Sequence, residues 1–389
     1  MVMDNSIGPL VPADETLLHQ VVDTFAMVGS TDLGWTEKIW SQACANDGYL
    51  QVVFGLGKYT NRNVMDAFGG ISCGREQWTV RASRALHQSS DSAVVGPLRY
   101  EIVEPLQAVR IVLEPNDVQP IAFDVVLRGA VPARMEDREL LRAPSGTRLT
   151  NDVVRYHQAG TAEGWIVVDE TRHEVSTSNW MSARDHSWGV RTNVGEPLRD
   201  LQPASYPPDP RSLTSWSPVL MTRPDGSQYV VFHYFMETNL PGMPPRRLRG
   251  GVEHPDGSEE PFVDARLEAR FDDTNRRFLG GTFTFVHPDG SARPLAITPI
   301  SDTGFHLGTG LYFGLDGMRH GMWRGELSMD GEHIADCADP EVARRIHQHR
   351  DCVVVVDDPA GGGRGVGPMQ TIAIGGFPDY GLTLENTFV

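Results

Sequence analysis

A chain of 389 residues with 40% hydrophobic and 22% charged content has an ordinary globular composition and enough length for two cores. Its formal charge of −17 argues against a general nucleic-acid binder, which needs clustered Lys and Arg. No apolar run reaches the ~18 residues of a membrane span, so no integral membrane segment is expected.

The opening MVMDNSIGPLVPADE has neither a basic nor an apolar signal region. Cys44, Cys73, Cys337 and Cys352 are scattered without a CxxC spacing. Both features fit a reduced, cytoplasmic protein. Next, ADETLLHQVVDTFAMV (13–28) places Leu17, Leu18, Val21, Val22 and Phe25 at helical spacing behind acids in the first turn. That pattern predicts an amphipathic helix, so residues 1–29 are expected to form a short N-terminal helical segment.

From there the pattern is β. The 40 glycines and 27 prolines punctuate short runs of alternating polarity. YEIVEP (100–105), IAFDVVLRG (121–129), GWIVVDE (164–170), YVVFHYF (229–235) and FLGGTFTFVH (278–287) read as strands by period and β-branched content. RPDGS (223–227), HPDGS (254–258) and HPDGS (287–291) repeat one turn chemistry: Pro presets φ, Asp bonds its own backbone and Gly takes positive φ. They are expected at one end of an up-and-down meander, with SMDGE (328–332) continuing the pattern. DPEVARRIHQ (339–348) predicts one short helix with Asp339 as N-cap. The Pro-rich stretch NVGEPLRDLQPASYPPDPRS (193–212) is the best linker. It divides the chain into a first barrel at 30–195, a linker at 196–212 and a second barrel at 213–389.

Two glycine-rich stretches fail as phosphate loops. GGGRGVGP (361–368) leads into another strand rather than a helix, and GLGKYT (55–60) lacks the P-loop spacing. His347 and His349 in IHQHRDC have no third ligand, so no metal site is expected and the segment reads as solvated. No GxSxG marks a nucleophile.

The densest chemistry is MSARDHSWGVR (181–191), with an acid, an imidazole, an indole and two guanidiniums around one glycine. In a regular strand Arg184, His186 and Trp188 share one face and Asp185 takes the other. A bulge near Gly189 would bring Asp185 and His186 together. The alternative is a structural ion pair between Asp185 and an arginine, with His186 and Trp188 as packing.

RDHSWGVR resembles the D-H-x-W-G element of the AttH-like and carotenoid 1,2-hydratase superfamily. GWTEKIW (34–40), FGLGKYTNRN (54–63) and GTGLYFGLDGMRHGMWRGE (308–326) agree with it more loosely, so the resemblance touches both halves. It implies an all-β fold of two lipocalin-like antiparallel barrels side by side, no organic cofactor, and a large apolar ligand. It also implies a reaction type: hydration of a C=C bond, or a steered cyclisation.

The residues suit such chemistry. Hydrating an isolated alkene needs a proton donor for carbon, shelter for the cation and a base for water. Desolvation would keep Asp185 protonated, His186 would take the proton from water, and the Trp188 face would shelter the cation. Arg184 or Arg191 would oppose a protonated Asp185. Tyr59, Tyr312, His320 and Trp323 are the further candidates for a pocket wall. The expected activity is a cofactor-independent hydratase or dehydratase of a hydrophobic isoprenoid- or steroid-like molecule. A cofactor-free isomerase or cyclase of a polyene or polyketide is one alternative, and a non-catalytic carrier of hydrophobic ligands is another.

Overall fold

The structure is a computed structural model that describes residues 10–19, 22–86, 91–143, 146–203 and 205–388. Its strands form two curled antiparallel sheets, each a half-barrel around its own core. Along the first sheet the main order is Leu327–Ile334, Glu76–Ala85, Val64–Cys73, Leu50–Tyr59, Trp35–Ala45, Trp180–Val190, Leu149–Val168, Ile121–Gly129, Ala108–Leu113 and Leu98–Glu104, ending at Val94–Val95. The second sheet is ordered Glu259–Pro261, Arg246–Glu253, Gln228–Thr238, Ser212–Thr222, Gly363–Ile374, Arg350–Asp358, Ala292–Pro299, Phe278–Val286 and Asp264–Phe271. Among the described residues no helix is long and apolar enough to cross a membrane.

Burial patterns record what each strand faces. Asp264–Phe271 alternates strictly between exposed and buried residues, as a strand with one solvated face must. Leu50–Tyr59 is buried almost throughout, because one face meets the first core and the other meets the second sheet. That covered face belongs to a third apolar cluster, in which Trp40, Val53, Phe68 and Ala183 meet Trp216, Leu220, Val230 and Phe232. Trp40 and Trp216 cross edge-to-face at 5.4 Å.

The three PDGS turns share one geometry. The backbone amides of Arg223, His254 and His287 each donate a hydrogen bond to the carbonyl of the serine four residues on. Asp225, Asp256 and Asp289 each accept both the amide and the hydroxyl of the serine two residues on. The helix at Pro340–Arg345 forms where expected, and Asp339 accepts the amides of Glu341 and Val342.

Two expectations change. SMDGE is not a turn: it lies inside the Leu327–Ile334 strand, which crosses from the second half of the chain to pair with Glu76–Ala85. Arg81 fixes that crossing by binding Asp330 and, at 2.9 Å, Glu332. Among the described residues of the N-terminal segment, the one helical element is a 3-10 turn, Pro12–Glu15. Leu17, Leu18 and Val22 are exposed beyond it, and Gln20 and Val21 lie outside the described residues. An apolar stripe without a face to bury against does not hold a helix. The Pro-rich stretch after Val190 has no regular structure among its described residues and joins the two sheets.

Candidate active site

MSARDHSWGVR lies on Trp180–Val190, between Trp35–Ala45 and Leu149–Val168. Its register is unbroken on both sides, from Trp35 opposite Val190 to Ala45 opposite Trp180, and from Asp152 opposite Val190 to Thr161 opposite Met181. The bulge that would unite Asp185 and His186 is therefore absent. Gly189 has φ of 132°, and a Cβ there would lie 2.0 Å from the Asp152 carbonyl oxygen, so the glycine serves close strand approach. Asp185 and His186 point to opposite faces, and one strand serves two cavities.

Asp185 faces the cleft between the sheets. Two small chambers of about 230 and 190 Å³ share Lys38, Arg155, Arg191, Tyr312, Phe313 and His349 as walls. Asp185, Ser187, Trp216 and Tyr234 complete the first; Tyr59 and His320 line the second. Lys38 stands opposite Ser187 in register, and Trp40 opposite Asp185, so all four share the cleft face. Tyr312 arrives on the connection after Leu307–Gly310, with Leu311 at φ 70° and Phe313 at φ 63°. Two non-glycine strains of this kind, one on either side of Tyr312, persist only where surrounding contacts impose them. Here Phe305 stacks on Phe68, and Thr309 binds Gln77 at 2.7 Å and Thr79 at 2.9 Å.

The electrostatics follow from dryness. Burial raises the Asp185 carboxyl above its ordinary value and outweighs Arg155, whose Nε is 4.0 Å away. Burial, aided by Arg191, lowers the Lys38 ammonium to about 7, and its Nζ sits 3.7 Å over the Tyr312 ring. Burial also brings His320 and His349 down to about 4, leaving both neutral. Asp66 accepts from the Tyr59 hydroxyl at 3.0 Å and the Gly321 amide at 2.7 Å. Burial raises Asp66, but the neighbouring His320, whose Nδ1 lies 3.4 Å away, together with the Gly321 amide and Lys38 outweighs it and holds Asp66 below its ordinary value. Behind the cleft, Asp351 accepts from the Trp40 indole at 3.1 Å, and burial raises its carboxyl well above the usual range.

His186 and Trp188 face the other way, into a cavity of about 920 Å³ within the first sheet. His186 Nε2 is 2.9 Å from Glu37 and its Nδ1 is 3.3 Å from the Tyr156 hydroxyl. Trp323 lines neither cavity and is 54% exposed. A further cavity of about 1000 Å³, between Arg246 and the Asp264–Phe271 strand, is lined by ionisable groups that are exposed or half-buried. It offers no desolvated acid or base.

Of the residues expected from sequence, the cleft gathers Asp185, Tyr59, Tyr312 and His320. Lys38, Arg155 and Trp216 join them without having been singled out, and Arg191 and His349, singled out for other roles, join them too. His349 is not solvated: its ring is edge-on to Tyr312 at 5.8 Å. Lys38 carried a signal in alternating with Trp40, but a strand lysine reads as solvent-facing until a second sheet covers it.

Matched over residues 10–383, the chain has a family. It belongs to DUF8625, a family of unknown function. No curated protein matches it. Solved structures similar to it include an AttH-like protein from Nitrosomonas europaea, 12% identical over 94% of this chain and 99% of that one, with a TM-score of 0.48. Kievitone hydratase from Nectria haematococca is 8% identical over 91% and 93%, with a TM-score of 0.42. CghA is 10% identical over 88% of each chain, with a TM-score of 0.45.

Proposed function

We propose that the chain is a cofactor-independent lyase that adds water to, or removes it from, a C=C bond of a hydrophobic isoprenoid- or steroid-like molecule, in the cleft between the sheets. The observation that carries this reading is the pairing of a desolvated carboxyl, Asp185, with a lysine brought to about 7 in one dry chamber. Asp185 gives its proton to the alkene carbon. The cation forms beside the Trp216 and Tyr312 rings, whose faces favour positive charge. As water adds to the cation, the neutral Lys38 amine takes the released proton, and its return to Asp185 closes the cycle. Lys38 thus replaces His186 as the base, since His186 faces the other cavity. Chambers this small grip the alkene-bearing end of a larger molecule.

A second reading is a cofactor-free isomerase or cyclase. Trp216, Tyr234, Tyr312 and Phe313 surround one chamber and would hold a polyene in a reactive shape. Turnover of a panel of terpenoid and steroid alkenes separates the readings. In a hydratase Asp185→Asn lowers kcat by about 10²–10⁴-fold with ligand affinity nearly unchanged. In a cyclase Asp185→Asn retains activity and Tyr312→Ala loses it. A protein that binds the panel and converts none of it is a carrier.

A further inference from the structure

The cavity behind the Asp185 strand holds a charge that the cleft chemistry does not use. Arg184 is 4% exposed and lines that cavity. Its Nε and Nη2 donate to Gln158 Oε1 at 3.0 and 2.6 Å, and its Nη1 reaches the Tyr156 hydroxyl at 3.3 Å. Gln158 cannot turn away, because its own amide donates to the Leu106 and Val131 carbonyls at 2.9 and 2.8 Å. The guanidinium is thereby fixed in place by neutral groups, and among the described residues no carboxylate lies within 4.0 Å of it.

Among the described residues the other buried arginines are spent. Arg81 and Arg293 each pair with carboxylates. Arg276 and Arg350 clamp main-chain carbonyls. Arg184 does neither. A buried cation without an anion is costly unless something supplies the anion. In a chain of net charge −17, leaving one uncompensated beside a cavity stands out.

The walls say what kind of anion fits. Ile39, Leu56, Met65, Val109 and Trp188 make them largely apolar. Of the two carboxylates that line it, Glu37 is already engaged by His186 and Asp91 lies beside Arg84. At about 920 Å³ the cavity lies near the top of the ~300–1,000 Å³ range of small-molecule sites. We propose that this cavity is a second ligand site, separate from the cleft, that takes a long-chain apolar carboxylic acid with its carboxylate on Arg184 and its chain along the apolar wall. One guanidinium flanked by a tyrosine hydroxyl suits a monoanion: with Nε and one proton of each Nη engaged, one proton on Nη1 and one on Nη2 remain to meet a carboxylate.

The test uses the intact chain with palmitate, methyl palmitate and hexadecanol, each displacing a fluorescent fatty-acid probe. Palmitate is expected to bind at least about tenfold more tightly than its ester or alcohol, a difference of about 1.4 kcal/mol. Arg184→Gln should erase that preference while hexadecanol affinity holds, and the cleft variant Tyr312→Phe should leave palmitate binding unchanged. Brominated palmitate should quench tryptophan emission in the parent chain, and less so after Trp188→Phe. Equal affinity for acid and ester in the parent chain overturns the proposal, as does a preference that survives Arg184→Gln or vanishes with Tyr312→Phe. The parent-chain comparison and the quenching decide the matter even if Arg184→Gln does not fold. None of these readouts depends on turnover in the cleft.

Discussion

Lys38 and Trp40 alternate with Glu37 and Ile39 along one strand, and the two pairs meet different worlds: the cleft and the interior of the first sheet. Lys38 loses its proton around pH 7 because burial and Arg191 oppose its charge. As the base in hydration it works only when neutral, and only while Asp185 keeps its proton, so kcat/KM should be bell-shaped in pH with one limb, near 7, set by Lys38. In Lys38→Gln that limb should vanish, with a residual rate lower by about 10²-fold or more. A pH–rate series on both proteins checks it, and an unchanged limb in the variant removes Lys38 from the mechanism. Asp185 was legible in the sequence as a candidate acid, and its facing away from His186 was legible as a consequence of strand period. Its partner was not, since Lys38 and Asp185 lie far apart in sequence and only strand pairing sets them side by side.

Glycines at positive φ divide at the level of the element. Gly189 and Gly257 have φ of 132° and 84°, but a Cβ on Gly189 would meet Asp152 at 2.0 Å, whereas one on Gly257 would meet nothing within 4 Å. Gly257→Ala should therefore cost only the left-handed conformation, about 1–2 kcal/mol. Gly189→Ala should cost more than Gly257→Ala, because Leu149–Val168 must also move off Trp180–Val190. Urea unfolding midpoints of the two variants give the comparison, and equal shifts would show that strand approach at Gly189 is not tight. The PDGS turns were legible because each is closed by residues within five positions. The Leu327–Ile334 strand was not, because its SMDGE segment has turn composition and becomes a strand only through Arg81 and the open edge of Glu76–Ala85.

Across the whole molecule, the two sheets are joined by a buried ionic bridge beside the aromatic contact. His157 is completely buried, 2.9 Å from Glu253 of the second sheet and 3.4 Å from Glu136, and it stacks on Phe232 at 3.6 Å. Trp216 donates to Glu136 at 2.9 Å. Burial opposes a charged His157, but Glu253 and Glu136 outweigh it and raise the imidazole to about 9. Burial likewise opposes a charged Glu136, but Arg155 and His157 outweigh it and bring the carboxyl down to about 2. The His157 contribution is whole below its unfolded value of about 6.5 and is lost as pH rises through about 9. The Glu136 contribution is whole above its unfolded value of about 4.5 and is lost as pH falls through about 2. Stability should thus peak between these unfolded values and decline on both sides. His157→Gln should destabilise the fold by about 3–5 kcal/mol and flatten the alkaline decline. Thermal unfolding from about pH 2 to about pH 10 tests this; an alkaline decline unchanged in the variant would assign it to other groups.

By itself the sequence determined the all-β class, the repeated turns and the helix at Pro340–Arg345, because local period and turn chemistry decide such features over a few residues. Only the tertiary structure decided which groups share a cavity. Strand period places neighbours on opposite faces, but what lies beyond each face is set by pairings hundreds of residues apart. The second sheet, packed on the first, turns Lys38 from a surface lysine into a desolvated one, and the curl of the first sheet leaves Arg184 facing an apolar interior.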